Sequence, residues 1–271
     1  MLFLKVIILA VIEGLTEFLP ISSTGHLILA GEFLSLEETK QFVDAFLVII
    51  QLPAILAVAV YFWDTLWPFG RSPAQRNQRL ALWAKVAVGF IPAMFLGLLL
   101  GDLIEELLFN PTTVSVALIL GGAAFIALEA RGLPGRIESV HDISYARAFF
   151  IGLIQCLAMI PGTSRSGASI FGAMALGVRR PAAAEFSFFL AIPTMFGATA
   201  YTMTKTSFAY TPVQWAVLAL GSAVSFAVAY GVIAFLMHYV KRHSFALFGY
   251  YRIVLGVAML IYFYLILNLA G

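Results

Sequence analysis

Charge and cysteine are both scarce in this chain. Only 11% of its 271 residues are charged, where an average soluble domain carries about 25%, so there is too little polar surface to face water on all sides. The single cysteine, Cys156, excludes an intrachain disulfide and any cysteine-rich metal centre. Among apolar neighbours it reads as a small packing residue. A net charge of +2, without a basic stripe of interleaved aromatics, gives no nucleic-acid surface. No Ser- or Pro-rich linker divides the chain, so a single membrane domain over 1–271 is the simplest organisation.

Apolar residues make up 62% of the chain, with a mean hydropathy of +0.97. Several stretches reach the ~20 residues that cross a bilayer as a helix, which predicts an integral membrane protein. The N-terminal run carries Lys5 and superficially resembles a signal peptide. Glu13 and Glu17 interrupt it and no small-x-small cleavage pattern follows, so it is read as mature protein. Six segments read as full spans, at about 42–63, 80–101, 112–130, 183–205, 213–238 and 246–269. Residues 2–31 and 147–178 are also long enough, but each is broken, at 20–25 and at 161–167. The pieces left on either side suit half-membrane segments, and polar residues at the break suggest a re-entrant hairpin.

The two broken segments resemble each other. Aligned without gaps, 13–25 and 155–167 match Leu15 with Leu157, Ser22 with Ser164 and Gly25 with Gly167. Beyond them Phe46, Ile50, Pro53 and Tyr61 fall on Phe186, Leu190, Pro193 and Tyr201; Trp83 falls on Trp215, and Gly121 on Gly256. The common order argues for an internal duplication, 1–131 and 147–271. Three crossings per half is an odd number, so the halves are inverted. The expected fold is an all-α polytopic membrane protein of two inverted-topology repeats, each a re-entrant helical hairpin plus three transmembrane helices.

Basic residues give an independent reading, because short cytoplasmic loops are rich in Lys and Arg. Arg71, Arg76 and Arg79, then Arg131, Arg136 and Arg147, then Arg179 and Arg180, then Lys241 and Arg242 alternate with basic-poor loops. Those poor loops hold Lys40 with Glu37 and Glu38, then Asp102, Glu105 and Glu106, then Lys205. One assignment satisfies all of them: both termini on the outer face, the first hairpin entering from outside and the second from the cytoplasm.

The polar residues at the breaks carry chemistry. Glu13 and Glu17 lie four apart, on one helix face, where like charges repel, and a charge near the bilayer centre costs about 2.5–3.5 kcal/mol on insertion scales. They are either carboxylates snorkelling to water or hard oxygen ligands for Mg²⁺ or Ca²⁺, and one can act as a general base. Ser22, Ser23 and Thr24 precede an apolar run, which is N-cap chemistry. Three hydroxyls followed by Gly25 exceed what one cap needs and make an anion site at a positive helix end. His26, in the first turn, can donate a hydrogen bond or a proton there.

The second break presents Thr163, Ser164, Arg165, Ser166 and Gly167. Arg165 is always charged and its fork matches phosphate oxygens; its plainer role is a salt bridge to Glu13 or Glu17. If the two hairpins meet, two carboxylates beside a phosphate require a divalent cation between them. Gln51 and Gln155 brace the site or simply join helices. Arg252 and Glu185 are expected near the membrane surfaces, and Trp63, Trp67 and Tyr210 in interfacial belts. Gly121 and Gly122 suit close helix packing.

The motifs E-G-L-T-E-F-L-P-I-S-S-T-G-H at 13–26 and P-G-T-S-R-S-G at 161–167 closely resemble those of the bacterial undecaprenyl-diphosphatase family associated with bacitracin resistance, and the order of spans agrees over nearly the whole chain. The resemblance implies hydrolysis of undecaprenyl diphosphate to undecaprenyl phosphate, recycling the lipid carrier for peptidoglycan, with a divalent cation, Mg²⁺ or Ca²⁺, in the bacterial inner membrane. It implies Ser23 as nucleophile, Glu17 as base or metal ligand, Glu13 as metal ligand and Arg165 as the group that stabilises the transferring phosphoryl. His26 falls on the family's histidine. Ser22, Thr24, Gly25, Thr163, Ser164, Ser166 and Gly167 fall on its phosphate-binding loops. Ser169 stands where the family often has threonine and keeps the hydroxyl. The resemblance also implies that bacitracin competes for the polyprenyl diphosphate. A homodimer is left open, as are a phosphoserine intermediate against direct water attack and His26 as nucleophile. The rival from another class is a translocase of a lipid phosphate, since inverted repeats with broken helices also mark secondary transporters.

Overall fold

The computed structural model describes residues 1–36, 38–69, 72–132, 135–205 and 210–266. Glu37, Arg71, the side chain of Lys205 and the end of the expected 246–269 span lie outside the described residues. Among those described there is no strand, only an isolated bridge between Ile137 and Val178. The helices are α1 (Leu2–Thr16), α2 (Ser23–Phe33), α3 (Lys40–Ile49), α4 (Gln51–Tyr61), α5 (Trp63–Leu66), α6 (Pro73–Leu108), α7 (Pro111–Ala130), α8 (Tyr145–Gln155), α9 (Arg165–Ala175), α10 (Arg180–Lys205), α11 (Pro212–Tyr239) and α12 (Ala246–Ile261). Among the described residues six helices are long and apolar enough to cross a membrane: Lys40–Tyr61, Pro73–Leu108, Pro111–Ala130, Arg180–Thr204, Pro212–Tyr239 and Ala246–Tyr264. They coincide with the six expected spans, and α1–α2 and α8–α9 are the two broken segments.

The helix starts follow from local chemistry. Ser72, Asn110 and Thr211 each accept a first-turn backbone N–H, and each is followed by a proline in the first helical turn, where no donor is missed. Thr39 and Ser144 cap α3 and α8 in the same way. The first span is interrupted at Ile50, between α3 and α4. Pro53 lacks the N–H that would bond Ile49 and its ring crowds that carbonyl.

With hydrocarbon on both sides, helices associate through close backbone approach rather than hydrophobic exclusion. α7 packs along α12: a Cβ on Gly122 would lie 2.5 Å from the Gly249 carbonyl oxygen, and one on Gly249 2.8 Å from that of Gly122. α1 packs on α11 with Gly14 against the Ser225 carbonyl, and α8 on α6 with Gly152 against the backbone of Gly89. Large apolar side chains such as Leu99, Leu120 and Val254 point outward, as a lipid-facing surface requires.

Arg252 lies at the centre of this packing. It was expected near a membrane surface; it is fully buried instead. Its guanidinium donates to the carbonyl oxygens of Pro20 and Gly162, each at 3.2 Å, and of Ala117 at 3.2 Å, with a longer contact to Leu118. Pro20 and Gly162 belong to the two breaks, Ala117 and Leu118 to α7. Gly121 supplies the space, because a Cβ there would collide with the guanidinium. The short-range pattern around Arg252 is that of a span approaching an interface; the long-range need it answers, freed carbonyls in the breaks, is invisible until the helices are packed.

Arg252→Met is expected to lower stability by about 3 kcal/mol or more, since several buried acceptors lose a charged donor, with Arg252→Lys intermediate. Thermal unfolding of the purified variants in one detergent checks the order; a Met variant as stable as the parent would remove Arg252 as the brace.

Candidate functional site

Each break ends in a serine held in the left-handed region: Ser22 at φ 73° and Ser164 at φ 72°. That conformation costs a non-glycine residue of order 1–3 kcal/mol. Each serine then caps the helix that follows. Ser22 Oγ accepts from Gly25 N at 3.4 Å and Ser164 Oγ from Gly167 N at 3.1 Å. The two caps share conformation, offset and acceptor. The N–H groups of Ser23 and Thr24, and of Arg165 and Ser166, lie in the first turns and have no intrahelical partner. Both helix ends therefore keep donors for an anion.

The breaks meet. Arg165 Nη2 donates to Glu17 Oε1 at 2.9 Å, with the two side chains 12% and 8% exposed. Ser23 Oγ donates to the other oxygen of the same carboxylate at 2.8 Å. Ser166 Oγ reaches across to the Leu19 carbonyl at 2.9 Å. Glu17 thus joins a hydroxyl at the start of α2 to a guanidinium at the start of α9. Arg165 is held further by the Ser187 carbonyl at 3.2 Å and Met195 Sδ at 3.2 Å, and its guanidinium carbon lies 5.7 Å from the centre of the Phe18 ring. Its Nε–H has no partner among the described residues.

Glu13 is fully buried one turn before Glu17, and neither of its carboxylate oxygens has a hydrogen-bond partner among the described residues. A buried carboxylate without a donor is costly. These orphaned hard oxygens beside a second carboxylate suit a divalent cation. No group of three or more His, Cys, Asp or Glu that could hold a metal occurs among the described residues. Glu13 and Glu17 therefore supply at most part of a coordination shell, leaving positions for other oxygens.

The other expected residues divide into those aimed at the junction and those committed to architecture. Ser22 and Ser164 are caps, and Ser166 braces the first break. Gly25 and Gly167 are buried and allow close approach: a Cβ on Gly167 would lie 2.8 Å from Arg252 Nη1, and one on Gly25 3.1 Å from Leu118 Cδ1. Thr24 and Thr163 are half-buried at the helix starts. His26 has both ring nitrogens engaged. Nδ1 donates to the Ser22 carbonyl at 2.7 Å, because a carbonyl only accepts, so in the neutral ring Nε2 accepts from the Tyr251 hydroxyl at 2.7 Å. The two rings stack with centroids 5.6 Å apart.

Sequence reasoning missed Ser187, Met195 and Tyr251, none of which carries a signal of its own. An apolar cleft of about 560 Å³ opens between α6, α8 and α10 and has Arg165, Gln155 and Thr194 on its walls. Gln155 Nε2 donates to Thr194 Oγ1 at 3.2 Å. The arrangement combines a hydroxyl bonded to a carboxylate, a guanidinium fork, two helix N-termini and an unpartnered carboxylate, next to an apolar cleft.

Known proteins resemble this chain over nearly its whole length. The family model described as bacitracin resistance protein BacA matches residues 6–258. The chain is 50% identical to an undecaprenyl-diphosphatase of Fusobacterium nucleatum over 96% of its own length and 100% of that protein. It is 48% identical to undecaprenyl-diphosphatase 1 of Clostridioides difficile, covering 97% of this chain and 96% of the relative. An undecaprenyl-diphosphatase of Enterococcus faecalis is 47% identical over 95% of this chain and 96% of its own. On a match across nearly all its length, this chain belongs to the bacitracin resistance protein BacA family.

Proposed function

We propose that this chain is a membrane-embedded phosphatase that hydrolyses undecaprenyl diphosphate to undecaprenyl phosphate and inorganic phosphate. The names of its relatives support the substrate. The observation that carries the chemistry is the Ser23–Glu17–Arg165 chain, in which one carboxylate bonds a hydroxyl and a guanidinium drawn from two separate breaks. Hydrolysis regenerates a lipid carrier for peptidoglycan synthesis in the bacterial inner membrane, and bacitracin competes for the same polyprenyl diphosphate.

In this reading the Ser23 hydroxyl attacks the terminal phosphorus as its proton passes to Glu17. The bond from phosphorus to the bridging oxygen breaks, and the leaving group is the polyprenyl monophosphate. Glu17 passes that proton to the departing monophosphate. Water then attacks the phosphorus on Ser23 and yields a proton to Glu17, the bond from phosphorus to Ser23 Oγ breaks, and Glu17 returns the proton to Oγ. Arg165 donates to the equatorial oxygens of the transferring group, where charge accumulates. The first-turn N–H groups of α2 and α9 approach the same oxygens from two sides. Glu13 and Glu17 would hold a divalent cation, Mg²⁺ or Ca²⁺, which offsets their repulsion of the phosphate oxygens. His26 orients the start of α2 through its bond to Ser22. The apolar cleft beside Arg165 receives the first isoprene units without sequence-specific contacts.

The two matched breaks also support an inverted duplication, each half a re-entrant hairpin plus three spans. Both serine caps have the same geometry, and α1 on α11 mirrors α8 on α6. This matching favours a second reading, translocation of a lipid phosphate through the same site. A carrier needs the anion pocket but not a hydroxyl bonded to a carboxylate.

Purified protein is expected to release phosphate from a prenyl diphosphate only with a divalent cation. Ser23→Ala and Arg165→Ala should each reduce turnover roughly 10³-fold or more, the first melting as the parent does and the second still folding at a lower melting temperature, because it leaves Glu17 unpaired. Full activity in excess chelator would remove the metal, and near-normal turnover in both variants would favour the carrier. Mass spectrometry of a quenched reaction should find phosphate on Ser23; its absence during steady turnover would leave water as the attacking group. In intact cells, cysteine labels at both termini should react with an impermeant reagent, and a protected C-terminus would break the inverted arrangement.

A further inference from the structure

A second polar cavity, of about 430 Å³, lies outside the site described above, where three candidate spans end together. The last turn of α7, the first residues of α10 and the residues just after α11 form its walls. Because Pro111–Ala130, Arg180–Thr204 and Pro212–Tyr239 all reach their limits here, the cavity sits at a membrane boundary. Arg179, Arg180 and Lys241 line it, and Glu129 is the one acid among its described lining residues.

Glu129 does not neutralise the cavity so much as set its geometry. It accepts a fork from Arg180 Nε and Nη2 and a further bond from Phe245 N at 2.8 Å. That fork holds Arg180, and no bond from its Nη1 is seen among the described residues. Arg179 is fixed through its backbone. Its N–H donates to the Ile137 carbonyl at 2.8 Å, next to the Ile137–Val178 bridge, and its Nε donates to the Gly135 carbonyl at 3.0 Å. Its remaining pair, to Glu138, joins two side chains that are each more than half exposed, and pairs of that kind hold weakly. Lys241 is exposed at the rim.

We propose that this cavity binds a phosphate group, and that the group is the headgroup of an anionic phospholipid. Two guanidinium groups held in fixed positions, a third cation and the positive end of α10 converge on one hollow. Leu128, Met174 and Val240 add an apolar part to the lining. A free phosphate ion gains nothing from that part. A phospholipid whose glycerol lies just below its phosphate fills both parts, and basic pockets between transmembrane helices suit such headgroups. Loop cations that only set orientation would instead stand apart in water, without an acid locking them around a cavity.

The test is native mass spectrometry of the full chain in a zwitterionic detergent, titrated with phosphatidylglycerol, phosphatidylcholine or sodium phosphate. Phosphatidylglycerol is expected to bind and phosphatidylcholine not. Removing two cations in Arg179→Ala/Lys241→Ala should weaken phosphatidylglycerol roughly 30-fold, about fivefold for each charge. Phosphate release from a prenyl diphosphate should not change. Lys241→Glu, which breaks no described contact, should weaken binding alone and guards against a folding defect in the double variant. Equal binding of the two lipids, or equal phosphatidylglycerol affinity in parent and variants, would overturn the site. Displacement of phosphatidylglycerol by millimolar phosphate would overturn the headgroup in favour of the free ion.

Discussion

A helix broken inside hydrocarbon leaves carbonyls and N–H groups that no water can satisfy. The buried guanidinium of Arg252 is the structure's answer to that constraint. It donates to Pro20 in one break, Gly162 in the other and Ala117 in the helix between them. One side chain from α12 therefore fixes where two loops, remote in sequence, stand relative to each other. The Arg165–Glu17 bond at 2.9 Å and the Ser166–Leu19 bond at 2.9 Å depend on that placement. A loop pair free to slide would lose the junction and keep only two capped helices.

The same constraint explains why the breaks end in strained serines. A helix that restarts inside a packed bundle must satisfy its first N–H groups locally, and a left-handed Ser22 or Ser164 turns its hydroxyl onto the donor three residues on. Glycine would adopt that φ more readily but has no oxygen to cap with. The strain is thus exchanged for a satisfied donor, and the neighbouring first-turn N–H groups stay open to an anion.

Much of this is legible before any coordinates. Proline, serine and glycine punctuation marks the breaks, and uninterrupted apolar runs mark the spans. Both signals are local, and the helices fall where they say. The match of Ser22 with Ser164 and Gly25 with Gly167 anticipates two caps of one geometry. The partner of Arg165 is narrowed to Glu13 or Glu17, and packing selects Glu17. Arg252 escapes, because its acceptors are backbone carbonyls, which carry no residue identity. The same holds for Ser187, which offers Arg165 a carbonyl at 3.2 Å. His26 reads as a phosphate partner from its position; Tyr251, 225 residues away, occupies one of its nitrogens. Three of the loop hydroxyls, on Ser22, Ser164 and Ser166, also bond backbone within or across the breaks, a use that spacing alone does not reveal.

The charge arrangement bears most directly on mechanism. Glu13, Glu17 and Arg165 lie together at the place proposed to receive a polyanion. Glu17 is offset on both oxygens, by Arg165 and by Ser23, whereas the Glu13 oxygens have no hydrogen-bond partner among the described residues. In the reading proposed above, Glu13 and Glu17 would hold a divalent cation, whose charge would offset their repulsion of the phosphate oxygens.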